Sequence, residues 1–147
     1  MNDTAFTDFT ASLISVYPIF RAAIFKPFDS HAKKLTRTQQ IILLTMLKKE
    51  TFSMSGLARS ISTSNEQATR AITQLVESGM VLREKNKINR RVINISLTDE
   101  ARAFLDDIML LTKEIIAGEL YNLPAEAAND LKQDMAEIAT YFKDVNF

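Results

Sequence analysis

The strongest constraint on the fold lies in residues 57–97, where a helical pattern changes abruptly into a β-strand pattern. Residues 57–81, LARSISTSNEQATRAITQLVESGMV, predict two short helices joined by a tight turn. Gly79 stands where the second helix should end, because glycine readily adopts the left-handed conformation that closes helices. Residues 83–97, REKNKINRRVINISL, predict a half-buried β-hairpin with its tip at residues 86–89. We therefore expect a mainly α fold with a small β-hairpin wing.

Hydrophobic spacing predicts helices on both sides of this segment. The chain has only three Gly and three Pro in 147 residues, which favours helices and short loops. A stripe with spacings of three and four runs along a long first helix, which Pro18 should bend. Its residues are Phe6, Phe9, Leu13, Val16, Phe20 and Ile24. A sixth and last helix has a similar stripe, formed by Ala128, Leu131, Met135, Ile138, Phe142 and Val145.

Capping residues predict where the helices begin. Thr36 and Gln39 form a capping-box pattern at the start of a second helix. Ser53 or Ser55 can cap the third, Ser64 the fourth and Thr98 the fifth, and Pro124 suits the first turn of the sixth. Inward-facing positions are Ile42, Leu43, Met46 and Leu47 in the second helix, and Leu57, Ala58 and Ile61 in the third. They are Ala68, Ile72, Leu75 and Val76 in the fourth helix and Leu105, Ile108, Leu111 and Ile115 in the fifth.

The two terminal stripes offer more apolar surface than a small winged domain can cover, so we expect a dimer interface. The alternative is that both stripes form the core of one monomer. The residues expected to form the interface are Phe6, Phe9, Leu13, Leu131, Met135, Ile138 and Phe142. We expect a single domain, 1–147, with dimerisation helices at 1–34 and 120–147. A winged helix-turn-helix at 35–100 and a linking helix at 101–119 would complete it.

Composition excludes several classes of function. The sequence has no cysteine, so disulfides and thiolate metal sites are excluded. No phosphate loop, nucleophile elbow or metal-spaced His/Glu set is present, so we expect no enzyme, no cofactor and no metal. His31 is the only histidine. No signal-peptide pattern is seen, and no apolar run approaches the roughly 20 residues of a membrane span, so we expect a cytoplasmic protein.

Charge is distributed unevenly although the formal net charge is zero. Residues 51–97 hold seven Lys/Arg against three Asp/Glu, whereas residues 98–147 hold four against eleven. A polar helix followed by a basic hairpin can reach DNA bases and phosphates together. Asn65 and Gln67 are candidates for adenine edges, Arg70 for guanine or phosphate, and Ser64 with the free N–H groups of its helix for phosphate. The full expected DNA-binding set is Ser53, Ser55, Ser64, Asn65, Glu66, Gln67, Thr69, Arg70, Thr73, Lys85, Lys87, Asn89, Arg90 and Arg91.

From about Leu35 to Leu123 the chain resembles the MarR family of winged helix-turn-helix transcriptional regulators. The similarity is carried by LTRTQQIILL, by LARSISTSNEQATRAITQLVESGMVLRE and by NRRVINISLT. The resemblance implies a homodimer that binds a pseudo-palindromic operator as a repressor and is released by a small aromatic or anionic ligand. It also suggests a ligand pocket near Tyr17, Arg21 and His31, although core packing explains Tyr17 equally well. An activator, a low-specificity DNA-binding protein and a winged-helix protein-interaction module are the alternatives.

Three positions depart from the family pattern. Asn89 stands where the wing usually has an Asp that orients the Arg two residues later, here Arg91. An Asn can still hydrogen-bond a guanidinium, but without the charge-assisted part of that contact. Ser62 replaces a glycine between the third and fourth helices, which makes a left-handed turn about 1–2 kcal/mol harder. Ala101 replaces another glycine, a change that we expect to be tolerated.

Overall fold

The computed structural model describes residues 3–145, which form six helices and a three-stranded sheet. The predicted mainly α architecture with a small β-wing is confirmed. The elements in chain order are α1 (Asp3–Ser30), α2 (Arg37–Met46), β1 (Phe52–Ser53), α3 (Met54–Ser60), α4 (Asn65–Glu77), β2 (Val81–Lys85), β3 (Ile93–Leu97), α5 (Asp99–Glu119) and α6 (Ala125–Tyr141).

The sheet is antiparallel with the strand order β1-β3-β2. β2 and β3 form the expected hairpin, with Val81 opposite Leu97 and Lys85 opposite Ile93. β1, which pairs Phe52 with Ile95, was not predicted. Two residues are too few to show the alternation by which a strand is recognised in sequence. β1 places the start of α3 beside the hairpin, and so brings the helix-turn-helix against the wing.

Helix starts follow the predicted caps, with one exception. Thr36 and Gln39 form the complete capping box of α2. Ser53 caps α3 by accepting a hydrogen bond from the backbone N of Gly56 at 3.1 Å, whereas Ser55 lies inside that helix. Ser64 and Thr98 cap α4 and α5 as predicted. The exception is Pro124, which is the N-cap residue of α6 rather than part of its first turn.

Two helices end in the same left-handed motif, one closed by glycine and one by serine. After α4, Gly79 has φ 74°, and the N–H groups of Gly79 and Met80 donate to the carbonyls of Val76 and Leu75. After α3, Ser62 has φ 52°, with matching bonds to the end of its helix. Both are Schellman motifs. In the turn of the helix-turn-helix, Ser62 therefore adopts a left-handed conformation, which is unfavourable for residues other than glycine.

The core lies where α2–α5 and the sheet meet the end of α1. Its fully buried large side chains include Phe28, Ile42, Leu43, Met46, Leu57, Ile72, Leu75, Met80, Ile95, Leu105 and Ile108. Two inward predictions are wrong, since Val76 is 37% exposed and Leu47 is 44% exposed, whereas Ile61 is half-buried and packs against the core. In α4, Ala71 completes the buried face because it lies between Ala68 and Leu75 in the three–four spacing. In α5, Leu111 and Ile115 are half-buried, beyond the edge of this core.

The terminal helices expose most of their apolar side chains. α1 runs continuously through Pro18 and Pro27, but its only buried residues are Pro27 and Phe28. α6 has no buried residue. Phe9 of α1 and Phe142 just after α6 stack with ring centroids 6.0 Å apart, so the first turns of α1 lie against the end of α6. The exposed apolar residues on these helices include Phe6, Leu13, Ile14, Phe20, Ile24, Leu131, Met135 and Ile138.

α1 differs from the expectation that no segment of the chain is long and apolar enough to span a membrane. By length and composition alone it is apolar enough to cross a membrane, and none of the apolar window is buried within the chain. The sequence shows no uninterrupted apolar run in this segment, because polar residues stand between its apolar positions. A helix face that another protein chain covers has the same composition. The membrane criterion is therefore weak support for a span.

Candidate nucleic-acid interface

α4 has one buried face and one polar, solvent-exposed face. Ala68, Ala71, Ile72 and Leu75 anchor it to the core. The opposite face exposes predicted DNA-binding residues, namely Asn65, Glu66, Gln67, Thr69, Arg70 and Thr73. The major groove is about 12 Å wide and accepts a helix that is buried on one side only. This geometry suits α4 to groove binding.

The side chain of Gln67, on this face, already forms two hydrogen bonds to other side chains. Its Oε1 accepts a 2.6 Å hydrogen bond from the hydroxyl of Thr63, and its Nε2 donates to the hydroxyl of Thr38 at 3.5 Å. To contact an adenine edge, Gln67 would have to exchange these bonds. The side chain of Asn65 has no partner within residues 3–145. Asn65 is thus the freer of the two candidates for base contact.

Arg70 forms an exposed ion pair with Glu66 one helical turn earlier. Nη2 of Arg70 lies 3.2 Å from Oε1 of Glu66, and the two side chains are 73% and 85% exposed. Ion pairs this exposed contribute little to stability. The guanidinium can therefore leave Glu66 at small cost when a phosphate or a guanine is offered.

Clefts connect the start of α4 with both α3 and the wing, which we define as β2, β3 and loop 86–92. The first, of about 330 Å³, is lined by Ser53, Met54, Ser55, Asn65, Arg91, Val92 and Ile93. It brings four predicted DNA-binding residues together from three parts of the chain. The second, of about 380 Å³, is lined by Ser55, Ala58, Arg59, Thr63, Ser64 and Asn65. Arg59 was missed in the sequence, where its only signal was a basic residue among the apolar positions of α3.

Two asparagines order the loop of the wing. Oδ1 of Asn86 accepts hydrogen bonds from the backbone N of Ile88 and of Asn89, both at 2.9 Å. Oδ1 of Asn89 accepts from the backbone N of Arg91 at 3.1 Å. The sequence pattern predicts that Asn89 orients the guanidinium of Arg91. In the structure, Asn89 instead accepts a hydrogen bond from the backbone of Arg91. The basic side chains of the wing, Lys85, Lys87, Arg90 and Arg91, are all exposed.

The suggested ligand residues are not brought together within one chain. Tyr17 and Arg21 lie one turn apart on the exposed part of α1. His31 follows the end of that helix, about 21 Å beyond Tyr17 and about 15 Å beyond Arg21 at a rise of about 1.5 Å per residue. There its ring packs edge-on against Phe104 at 4.8 Å, and Nδ1 accepts from the backbone N of Lys33 at 3.1 Å. Within residues 3–145, no group of three His, Asp or Glu side chains is placed to hold a metal.

The MarR family model matches residues 35–93, which contain the helix-turn-helix, β2 and the loop of the wing. Residues 35–93 form a MarR-family domain. The predicted resemblance is thereby confirmed for this segment.

Two characterised relatives are similar to the MarR-family domain and its surroundings. The transcriptional regulator AdcR of Streptococcus pneumoniae serotype 2 (strain D39) is 40% identical over 73 residues, which are 50% of this chain and 49% of AdcR. The HTH-type transcriptional repressor MdtR of Bacillus subtilis (strain 168) is 26% identical over 114 residues, covering 77% and 74% of the two chains. The match to AdcR thus spans only about half of that protein.

Solved structures extend the similarity of fold to nearly the whole chain. RV1404 from Mycobacterium tuberculosis superposes with a TM-score of 0.80 at 14% identity, covering 95% of each chain. Wild-type MarR from E. coli has a TM-score of 0.70 at 17% identity, covering 88% of this chain and 95% of MarR. At such low identity the superpositions show that the terminal helices also follow this fold.

Proposed function

We propose that this chain is a homodimeric, sequence-specific DNA-binding transcriptional regulator that acts in the cytoplasm as a repressor. The main support is the cleft where Asn65 of α4 and Arg91 of the wing line one surface. A helix in the major groove and a basic loop in the neighbouring minor groove would contact DNA side by side. The names of AdcR and MdtR, a regulator and a repressor, agree with this function.

The dimer rests on the exposed apolar stripes of α1 and α6. Leu13 is 51% exposed and Met135 is 47% exposed, and the stacked pair of Phe9 and Phe142 joins the two helices. A second copy of the chain would bury these side chains. It would also supply the second α4 that a pseudo-palindromic operator requires, one helical repeat of about 34–36 Å away.

Substitution in the stripe tests the dimer. Leu13→Asp places a charge on the apolar face and should weaken dimerisation about 100-fold or more, since an unpaired charge is strongly disfavoured in an apolar interface. Ser15→Asp is the matched control, because Ser15 lies on the same side of α1 as Asp8. Sedimentation velocity over a dilution series measures the change. Equal dissociation of both variants would contradict the proposed interface.

Relief of repression by a small aromatic or anionic molecule is the remaining part of the proposal. Arg21 supplies a cation and Tyr17 an exposed ring on the same face of α1. A molecule bound between the dimer helices and the MarR-family domain would change the separation of the two α4 helices. Titrating aromatic acids into the DNA complex tests this, with Arg21→Gln as the variant that should lose the response.

Selection of duplexes from a random library tests DNA binding itself. We expect enrichment of a two-fold symmetric site whose half-sites are about 10–10.5 base pairs apart. The selected duplex should bind at least about 1,000-fold more tightly than a scrambled one. Absence of any enrichment at low salt would contradict the function, and retained binding to a protein partner would favour an interaction module.

A further inference from the structure

Ile88, at 99% exposed, is the most exposed large apolar side chain within residues 3–145. It lies in the loop between β2 and β3, between Lys87 and Asn89. Single exposed apolar residues are common on protein surfaces. This one differs because it stands at the far end of a basic wing, with Arg90 two positions later.

The loop holds Ile88 in a defined place. Its own backbone N is fixed by Asn86 at 2.9 Å, and Asn86 N donates to the carbonyl of Val92 at 2.9 Å across the base of the loop. The β-branched side chain of Ile88 also has few rotamers. Little conformational freedom therefore remains to be lost when the side chain meets a binding partner.

We propose that Ile88 is the apolar contact of the wing with the minor groove of DNA, packing on the deoxyribose walls. This inference rests on the proposed DNA-binding function. Lys87 and Arg90 would draw the tip towards phosphates, while the groove, about 6 Å wide, admits a loop but not a helix. Proteins that bind the minor groove commonly insert apolar side chains there, including Ile. The contact would add affinity without adding charge.

Charge and apolar contacts have different salt signatures. Each phosphate neutralised by Lys or Arg contributes about −0.9 to the slope of log K against log salt concentration. Lys87→Gln should therefore reduce the steepness of that slope by about one. Ile88→Ser should lower affinity by about tenfold, the loss expected when a large aliphatic side chain is no longer buried. The slope should not change, because no ion is released.

The experiment compares two duplexes in fluorescence anisotropy titrations of the full chain. One is the selected operator, and the other is trimmed at both ends to remove the base pairs beneath the wings. Ile88→Ser should bind the full operator about tenfold more weakly than wild type, and both should bind the trimmed duplex equally. Met109→Ser, in α5 outside the proposed DNA-binding surface and 53% exposed, is the control that should retain wild-type affinity for the full operator.

Unfolding in urea accompanies these titrations, and both Ile88→Ser and wild type should give the same midpoint because residue 88 is almost fully exposed. Equal affinity of Ile88→Ser and wild type for the full operator would overturn the inference. A loss that persists on the trimmed duplex would also overturn it. If wild type bound no duplex specifically, the proposed DNA-binding function itself would be wrong. If wild type bound the operator specifically and Ile88→Ser bound it equally well, only the role of Ile88 would be wrong.

Discussion

The side-chain amide of Gln39 donates a 2.9 Å hydrogen bond to the side-chain oxygen of Gln74, which ties α2 to α4. Gln39 is only 7% exposed, and its Oε1 also accepts from the backbone N of Thr36 at 2.8 Å. One side chain therefore closes the capping box of α2 and fixes the orientation of α4. α4, the helix that we propose enters the major groove, is positioned by a polar contact as well as by its apolar face.

Gln74→Ala should destabilise the protein by about 1–3 kcal/mol, because Nε2 of Gln39 would be left buried without a partner. Urea unfolding followed by circular dichroism measures the loss. Thr73→Ala, on the exposed face of the same helix, should change the free energy of unfolding by no more than about 0.5 kcal/mol. If the two variants unfolded at the same urea concentration, the contact would have no positioning role.

Glu66→Gln should increase affinity for scrambled DNA. It removes a negative charge from the face of α4 and releases Arg70 from its 3.2 Å ion pair. Removal of one repulsive contact at about 4 Å in water is worth about 1 kcal/mol, or about fivefold in affinity at low salt. Glu77→Gln at the other end of α4 is the matched control. An equal gain for both variants would indicate a general charge effect rather than a role for Glu66 at the interface.

Ser62→Gly should stabilise the protein by about 0.5–1 kcal/mol. Serine at φ 52° is strained by about 1–2 kcal/mol, and the greater freedom of glycine in the unfolded chain offsets part of that gain. Ser78→Gly is the control, because Ser78 has φ −85° and no strain to relieve. This control should be destabilised. A lower thermal midpoint for Ser62→Gly than for wild type would contradict the strained turn.

Asp29 should make stability depend on pH at acid values. The guanidinium of Arg37, 3.1 Å away, lowers the pKa of the Asp29 carboxyl from its ordinary value of 3.8. Because the pKa is depressed in the folded state, the stabilisation is complete above 3.8 and is lost as pH falls through the lower folded-state value. At pH 6 the urea midpoint of unfolding should be higher for wild type than for Asp29→Asn, and this difference between the two midpoints should shrink below pH 3.8. A difference that stays constant down to pH 2 would contradict this.

Local sequence rules were sufficient for most of the fold. Thr36 is predicted as a cap because Gln39 stands three positions later. Ser64 and Thr98 are predicted because each precedes a helical pattern, whereas the choice between Ser53 and Ser55 is decided only by the structure. The exposed face of α4 followed from helical periodicity in the same way. Periodicity located the buried stripe but not its edge, so Val76 was wrongly placed inside.

Capping patterns and helical periodicity do not predict contacts between residues that are far apart in the sequence. The bond from Gln67 to Thr38 joins residues 29 positions apart, and β1 has only two residues. The cleft that joins Asn65 to Arg91 depends on how the sheet packs against α3. Ile88 was overlooked because an isoleucine in a polar loop has no local signature of exposure. The sequence thus predicts which candidate residues lie on the exposed face of a helix or in the loop of the wing. It does not predict which distant residues they contact.

Arg70→Ala and Arg91→Ala most directly test whether α4 and the wing form one DNA-binding surface, as we propose. Titrations of the selected operator should show each variant binding about 10- to 100-fold more weakly, since a good Arg contact contributes about 1–3 kcal/mol. Unfolding midpoints should stay unchanged, because both side chains are exposed. Wild-type affinity of both variants for the operator would contradict the account.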